Sequence, residues 1–230
     1  MGAYTTANFE DYLLLRLGNN TALQSPTNYL RKFVNQAYRF LAMSDKPLGS
    51  RRALYFPELE TSTVTGTTTV DGTAYISTPT DALLVREVYD TTNKKRLDWM
   101  SWPDYIGKTD RADTSSESQP SYWHRSGGYI YLYQTPDAAY VMRVYYKLRV
   151  NDLDGATYNY TVLGKEWDDV ILELAVWFGR NWLNEPERAE YAKKTALEMI
   201  VGLQSIYSAE EKARREGFRP TPESIARPSY

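Results

Sequence analysis

Few residues of this sequence are of types that do covalent or acid-base chemistry. The single histidine, His124, lies in Tyr122-Trp123-His124-Arg125. There is no second histidine to build a His-pair metal site, and a lone histidine is far more often a packing or surface residue. Cysteine is absent, which removes thiolate nucleophiles, disulfides and cysteine-zinc sites together. No Gly-x-Ser-x-Gly elbow, phosphate loop or dinucleotide fingerprint occurs. The pair Asp168-Asp169 falls in the first turn of a predicted helix, where neighbouring side chains point about 100° apart. That suits capping and the helix dipole better than joint acid-base work. Asp152 and Asp154, in Asn151-Asp152-Leu153-Asp154-Gly155, superficially resemble a calcium loop, but the downstream spacing lacks the glutamate at the twelfth position. The expectation is a protein that is not an enzyme and needs no metal or cofactor.

The remaining chemistry is aromatic. The chain holds 20 Tyr and 6 Trp against 6 Phe. Such side chains have an apolar body and a polar tip, which suits surfaces buried only on assembly. Tyrosine also fills β-strands by propensity, and composition leaves both readings open. A stacking platform of Trp99, Trp102, Tyr122 and Trp123, with Asp98 or Asp104 as acid, makes an aromatic carbohydrate-binding module or lectin an alternative from another class.

The elements that must position these residues follow from periodicity. Phe9, Leu13 and Leu17 mark a first helix that ends at Gly18-Asn19-Asn20. Ser25-Pro26 reads as a cap and first helical position for a second helix with the stripe Tyr29, Leu30, Phe33, Val34, Ala37, Phe40 and Leu41. Arg31, Lys32, Asn35, Gln36 and Arg39 fall on its polar face, solvated or meeting an acidic neighbour. From Arg52 the period shortens. Strands are expected at Ala53 to Phe56, Thr61 to Val70, Thr73 to Ser77, Leu83 to Tyr89, Lys94 to Leu97, Ser121 to Arg125, Tyr129 to Tyr133 and Val141 to Val150. Asp71-Gly72 is a turn signal, Trp102 to Ile106 a short helical turn, and the polar Thr109 to Ser118 a mobile loop. Trp167 to Trp182 returns to helix with a broad apolar face, expected between the second helix and the sheet. Pro186 opens a last helix, with Tyr191, Thr195, Met199, Leu203, Ile206 and Tyr207 expected inward, that Gly217 ends.

Hydrophobic residues make up 42% and charged residues 24% of the 230, with a net charge of -2. This is the composition of a water-soluble globular chain without the basic field of a dedicated nucleic-acid binder. No apolar run is long enough to span a bilayer, so no membrane insertion is expected, and Met1 to Asn8 lacks a secretory layout. The fold class expected is α+β: a bundle of N- and C-terminal helices joined to a central antiparallel β-sandwich-like domain, with an extended C-terminal tail. Its divisions are 1–50 and 161–217 for the helices, 51–160 for the β domain and 218–230 for the tail.

Three short patterns recur within this layout: Tyr75-Ile76-Ser77-Thr78-Pro79-Thr80-Asp81, then Pro120-Ser121-Tyr122, then Ile130-Tyr131-Leu132-Tyr133-Gln134-Thr135-Pro136-Asp137 with Tyr140 and Val144-Tyr145-Tyr146. The first and third combine a strand with a proline-aspartate turn, and the second leads from a proline into a strand. In order and spacing they resemble the head-to-tail adaptor (connector) proteins of tailed bacteriophages, including the gatekeeper or tubular tail protein A group. Gln134-Thr135 replaces the first proline of that family's second Pro-Asp step, and Thr78 stands where an apolar residue is common.

The resemblance implies a structural virion protein of the neck, assembled in the host cytoplasm. It implies a ring of about twelve copies between the portal and the tail or nozzle proteins, with genomic DNA passing through the channel. A related neck or tail-completion protein is the nearest alternative. The last 13 residues, 218–230, contain Pro220, Pro222 and Pro228 and cannot continue a helix. By composition they are either a frayed terminus or an extended docking peptide anchored by Phe218, Ile225 and Tyr230 beside Arg219 and Arg227. The resemblance assigns this tail to the portal.

Overall fold

The computed structural model describes residues 2–24, 27–43, 54, 56–67, 74–109 and 117–217, with residues 65–67 and 206–217 described by backbone alone. The chain divides into two compact units, one made of 1–55 with 151–230 and the other of 56–150. The cap at Ser25-Pro26, the strand at 53–56 apart from Leu54 and Phe56, the turn at Asp71-Gly72, most of the Thr109–Ser118 loop and the whole 218–230 tail lie outside the described residues.

The first unit is helical. Helix α1 (Thr6–Arg16) opens with a reciprocal capping box between Thr5 and Asn8. It stops where Gly18 and Asn19 turn to positive φ, a conformation that glycine and asparagine adopt most readily. Helix α2 (Tyr29–Met43) buries Leu30, Phe33, Val34, Ala37, Tyr38 and Leu41, the recurrence at three and four residues of one helix face. Asn28 caps its N-terminus by accepting the Arg31 N–H at 3.0 Å. Helix α4 (Asp168–Trp182) is apolar nearly all round, with Val170, Ile171, Leu174, Ala175 and Val176 all buried. It packs against α1, α2 and α5. Gly179 makes the α4 contact close: a Cβ there would lie 2.7 Å from Leu17 Cδ1. Helix α5 (Pro186–Gly217) turns Ala189, Ala192, Ala196 and Ile200 inward, and the three alanines let it approach α4; the inward face expected to include Tyr191 is corrected, since that ring is 71% exposed.

The second unit is a seven-stranded sheet with β1 (Glu60–Thr67), β2 (Tyr75–Ser77), β3 (Ala82–Asp90), β4 (Lys95–Trp99), β5 (Tyr122–Ser126), β6 (Tyr129–Tyr133) and β7 (Val141–Leu148) in the order β1-β7-β3-β4-β5-β6-β2. All neighbours are antiparallel except β4 and β5, which run parallel with Asp98 opposite Tyr122 and Trp99 opposite Trp123. The wholly antiparallel expectation is therefore corrected to a mixed sheet. A parallel pair needs a crossover, and the segment between β4 and β5, which contains helix α3 (Trp102–Thr109), provides it. The two ends of the strand order, β1 and β2, also contact each other, so the sheet curls. Its core is one cluster that includes Val85, Val88, Leu97, Trp123, Ile130, Leu132, Met142 and Val144.

Candidate interaction surfaces

Several residues with acid-base potential are held by structural partners. His124 places Nδ1 3.0 Å from the Met100 carbonyl and packs against the rings of Trp102 and Tyr105. Asp152 pairs with Arg39 at 2.7 Å, and Asp154 accepts the N–H groups of Ala156 and Tyr158, which hold its carboxyl below the usual range. The polar face of α2 thus meets an acidic loop of its own unit. Asn35 is an exception on that face: it is buried, donates to Leu153 O at 3.0 Å and accepts Leu153 N–H at 2.7 Å. Among the described residues, no group of three or more His, Cys, Asp or Glu is placed to hold a metal ion. No described helix is long and apolar enough to cross a membrane.

Asp168 and Asp169 do not cap α4, whose first turn has no side-chain cap. Asp168 Oδ2 accepts the N–H groups of Ala3 and Tyr4 at 2.6 and 2.8 Å, and Oδ1 accepts the Thr161 hydroxyl at 3.0 Å. Asp169 accepts the Tyr4 phenol at 2.9 Å. The pair therefore clasps the N-terminal strap to its unit. Burial raises the Asp168 carboxyl above its ordinary value, although the backbone donors of Tyr4 and Ala3 oppose the shift.

The motif residues are mostly scaffold. Ile130, Leu132 and Tyr140 belong to the sheet core, and Pro120 and Pro136 are buried. Asp81 is exposed, follows the turn closed by the Ala82 N–H to Pro79 O bond at 3.0 Å, and accepts the Tyr146 phenol. Asp137 accepts the Tyr140 phenol, and this bond, with burial, raises the phenol to about 12. Gln119, just before Pro120, donates at 3.3 Å to Asp90, whose carboxylate also organises the β3–β4 turn through Thr92 and Asn93.

Tyr122 is different, because it faces outward. Alternation along β6 turns Ile130 and Leu132 inward and leaves Tyr129, Tyr131 and Tyr133 on the other face. Across the ladder Tyr131 lies beside Tyr75 and His124, and Tyr133 beside Tyr122. The result is a tyrosine-rich face partly overlaid by α3, with Trp102 stacked on Tyr105 at 5.6 Å. Next to it opens a cleft of about 770 Å³ whose lining includes Trp99, Pro103, Asp104, Lys108, Tyr122 and Tyr133. Trp99 is 63% exposed. The Lys108 ammonium lies 4.1 Å from the Tyr122 ring centroid and 5.3 Å from that of Tyr133, within cation-π range.

The stacking platform read from the sequence is corrected here. Trp123 is 4% exposed and sits in the core, because it is the inward residue of β5. Tyr133, which the sequence reading left out of the platform, joins the cleft because β6 pairs with β5. Asp104 is engaged by the Ser101 hydroxyl at the start of α3. In the helical unit a smaller cleft of about 290 Å³ is lined by Arg16, Arg180, Glu187, Arg188 and Tyr191, among others. Its arginines are paired: Arg16 with Glu173 at 2.7 Å, and Arg180 and Arg188 with Glu185. The Arg180 bond is the main cause that draws the Glu185 carboxyl below its usual range.

Carboxylates committed to holding the fold, with large aromatic rings left outward, are the marks of a structural, partner-binding protein. The sequence carries this further: the family model described as SU10 adaptor protein matches residues 5–221, and the chain belongs to that family. It is thus a phage structural protein of the adaptor type and a virion component. Comparison with curated proteins finds no match.

Proposed function

We propose that this protein is a ring-forming head-to-tail adaptor. About twelve copies form a ring between the portal and the tail or nozzle proteins, and genomic DNA passes through its channel by contacts that need no base readout. Assembly takes place in the host cytoplasm. The helices of 1–50 and 161–217 act as one bundle joined to the sandwich-like domain of 51–160. The 218–230 tail docks on the portal through Phe218, Ile225 and Tyr230, with Arg219 and Arg227 beside them and Pro220 and Pro222 keeping it extended.

The observation that carries this reading is the family match across residues 5–221. The outward aromatic rings of the β unit support it, since Tyr and Trp are enriched where protein surfaces meet. Native mass spectrometry and negative-stain microscopy of the chain, alone and with a portal protein, test it. Rings or portal-dependent assembly are expected, and a chain that stays monomeric and never engages a portal overturns the reading. Removing 218–230 is expected to abolish portal attachment; attachment that survives unchanged rejects the docking tail.

A further inference from the structure

We propose that the cleft beside α3 is a seat for an extended proline-rich peptide, and that its occupant is the 218–230 segment of another copy of this chain. The inference rests on the adaptor reading only for the setting in which copies meet.

Aromatic-lined grooves recognise the polyproline II conformation because proline rings stack on flat aromatic faces and the peptide is already ordered before it binds. The cleft offers such a wall in Trp99, Tyr122 and Tyr133, with Pro103 beside them. A polyproline II helix has three residues per turn. Pro222, Ile225 and Pro228 recur at that interval, so one edge of such a helix is a continuous apolar line. Arg219 precedes them on the same edge.

The charges match as well. Asp104 lines the cleft, and Asp98 stands opposite Tyr122 in the parallel pair. These carboxylates face a segment with two arginines, Arg219 and Arg227. Lys108, held over the two tyrosine rings, complements Glu223. The 13 residues beyond Gly217 span about 40 Å at the polyproline II rise. A tail seated in a neighbour's cleft is not on a portal, so portal engagement empties the cleft.

The chain has no cysteine, which makes crosslinking in trans clean. Gly107 lines the cleft, and a Cβ there meets nothing within 4 Å. Mixing a Gly107→Cys chain with a Thr221→Cys chain under mild oxidation is expected to give a disulfide-linked pair on a non-reducing gel. Adding Trp99→Ala is expected to cut its yield at least tenfold; Trp99 is exposed, so its loss leaves the core in place. In parallel, a labelled peptide of residues 217–230 titrated onto the full chain is expected to bind saturably and to lose at least tenfold in affinity with Trp99→Ala.

No saturable peptide binding, or crosslinking and binding indifferent to Trp99, overturns the proposal. So does displacement of the peptide by a neutral oligosaccharide such as dextran, which would make the cleft a saccharide site. Failure of the chain to form rings or engage a portal overturns the adaptor reading alone, since peptide binding is measured without either.

Discussion

The phenol of Tyr146 on β7 donates to the carboxylate of Asp81, 3.0 and 3.3 Å from its two oxygens, across 65 residues of sequence. Tyr140 makes the same kind of bond to Asp137. Both carboxylates follow a proline in a turn, and both phenols belong to the strand β7 or its approach. The proline-aspartate patterns are thus read in the structure as tyrosine-holding corners: proline sets the turn, and the acid accepts a phenol that the sheet buries. Burial raises the Tyr146 phenol first, and the Asp81 bond adds to the shift.

The Asp81 corner can be measured by a double-mutant cycle. Tyr146→Phe removes one hydrogen bond to a charged acceptor and is expected to lower stability by about 1–2 kcal/mol. Asp81→Ala leaves a buried phenol unsatisfied and is expected to lower it by about 1–3 kcal/mol. Urea unfolding of both single variants and the double variant gives the coupling. Additive losses would show that the two residues do not act together.

Asn35 is a second point of leverage. Its amide satisfies both backbone groups of Leu153 from inside α2, and both residues are buried. Asn35→Ala therefore orphans a buried N–H and a buried C=O at once and is expected to lower stability by about 2–4 kcal/mol. Its polar-face neighbour Lys32, on the same helix, is expected to tolerate alanine within about 0.5 kcal/mol. Equal effects at the two positions in thermal unfolding would contradict the clasp.

Periodicity made some of this legible before any coordinates. Leu30, Phe33, Val34, Ala37 and Leu41 could be read as one face of α2, and β6 could be read residue by residue from the alternation of Ile130 and Leu132 with its tyrosines. The same signal is blind elsewhere. Alternation is alike in parallel and antiparallel strands, so nothing in Lys95–Trp99 or Tyr122–Ser126 announced that β4 and β5 run the same way. Trp123 looked available because aromatic content says nothing about which face of β5 it takes. Asn35 was hidden among genuinely polar neighbours. Asp168 was hidden more deeply, since its main partners are backbone N–H groups 164 and 165 residues away, and backbone donors leave no mark in a sequence.

Tyr38 predicts the alkaline behaviour. Burial pushes its phenol from 10.0 to about 12, against the Val162 N–H that its oxygen accepts at 2.8 Å. A phenol raised on folding favours the folded state fully below pH 10 and loses that contribution as pH rises through 12. The full loss corresponds to about 3 kcal/mol. Tyr4 and Tyr140 are raised to about 12 as well, so Tyr38→Phe is expected to remove a share of the alkaline slope rather than all of it. At neutral pH the same variant should cost about 1–3 kcal/mol, because the Val162 N–H loses its acceptor. Chemical denaturation at a series of pH values between 8 and about 11 reads both; an unchanged alkaline slope counts against the buried phenol.

Asp168 governs the acid side, with the opposite sign from an ordinary paired carboxylate. Burial raises its folded value above 3.8, so the folded state holds its proton over a range where the unfolded chain has released it. The contribution is fully present below 3.8 and is lost as pH rises through the folded value. Asp154 and Glu185, drawn below their usual values, act the other way and lose their contribution as pH falls. The comparison to make is therefore the intact protein against Asp168→Asn: acidification from pH 7 towards 4 is expected to favour the intact protein relative to the variant. Asp168→Ala separates the clasp from the charge. It strips the acceptor from the Ala3 and Tyr4 N–H groups and from Thr161, with an expected loss of about 2–3 kcal/mol and faster hydrogen exchange at those two amides. Gly2 is the control for how tightly the strap is threaded, since a Cβ there would lie 2.3 Å from Thr161 Oγ1 and 2.7 Å from Asp168 Oδ1. Gly2→Ala should speed exchange at the Ala3 and Tyr4 amides as Asp168→Ala does, because the added Cβ displaces the carboxyl that accepts them. If Gly2→Ala leaves the Ala3 and Tyr4 amides as protected as before, the strap is not held by that approach.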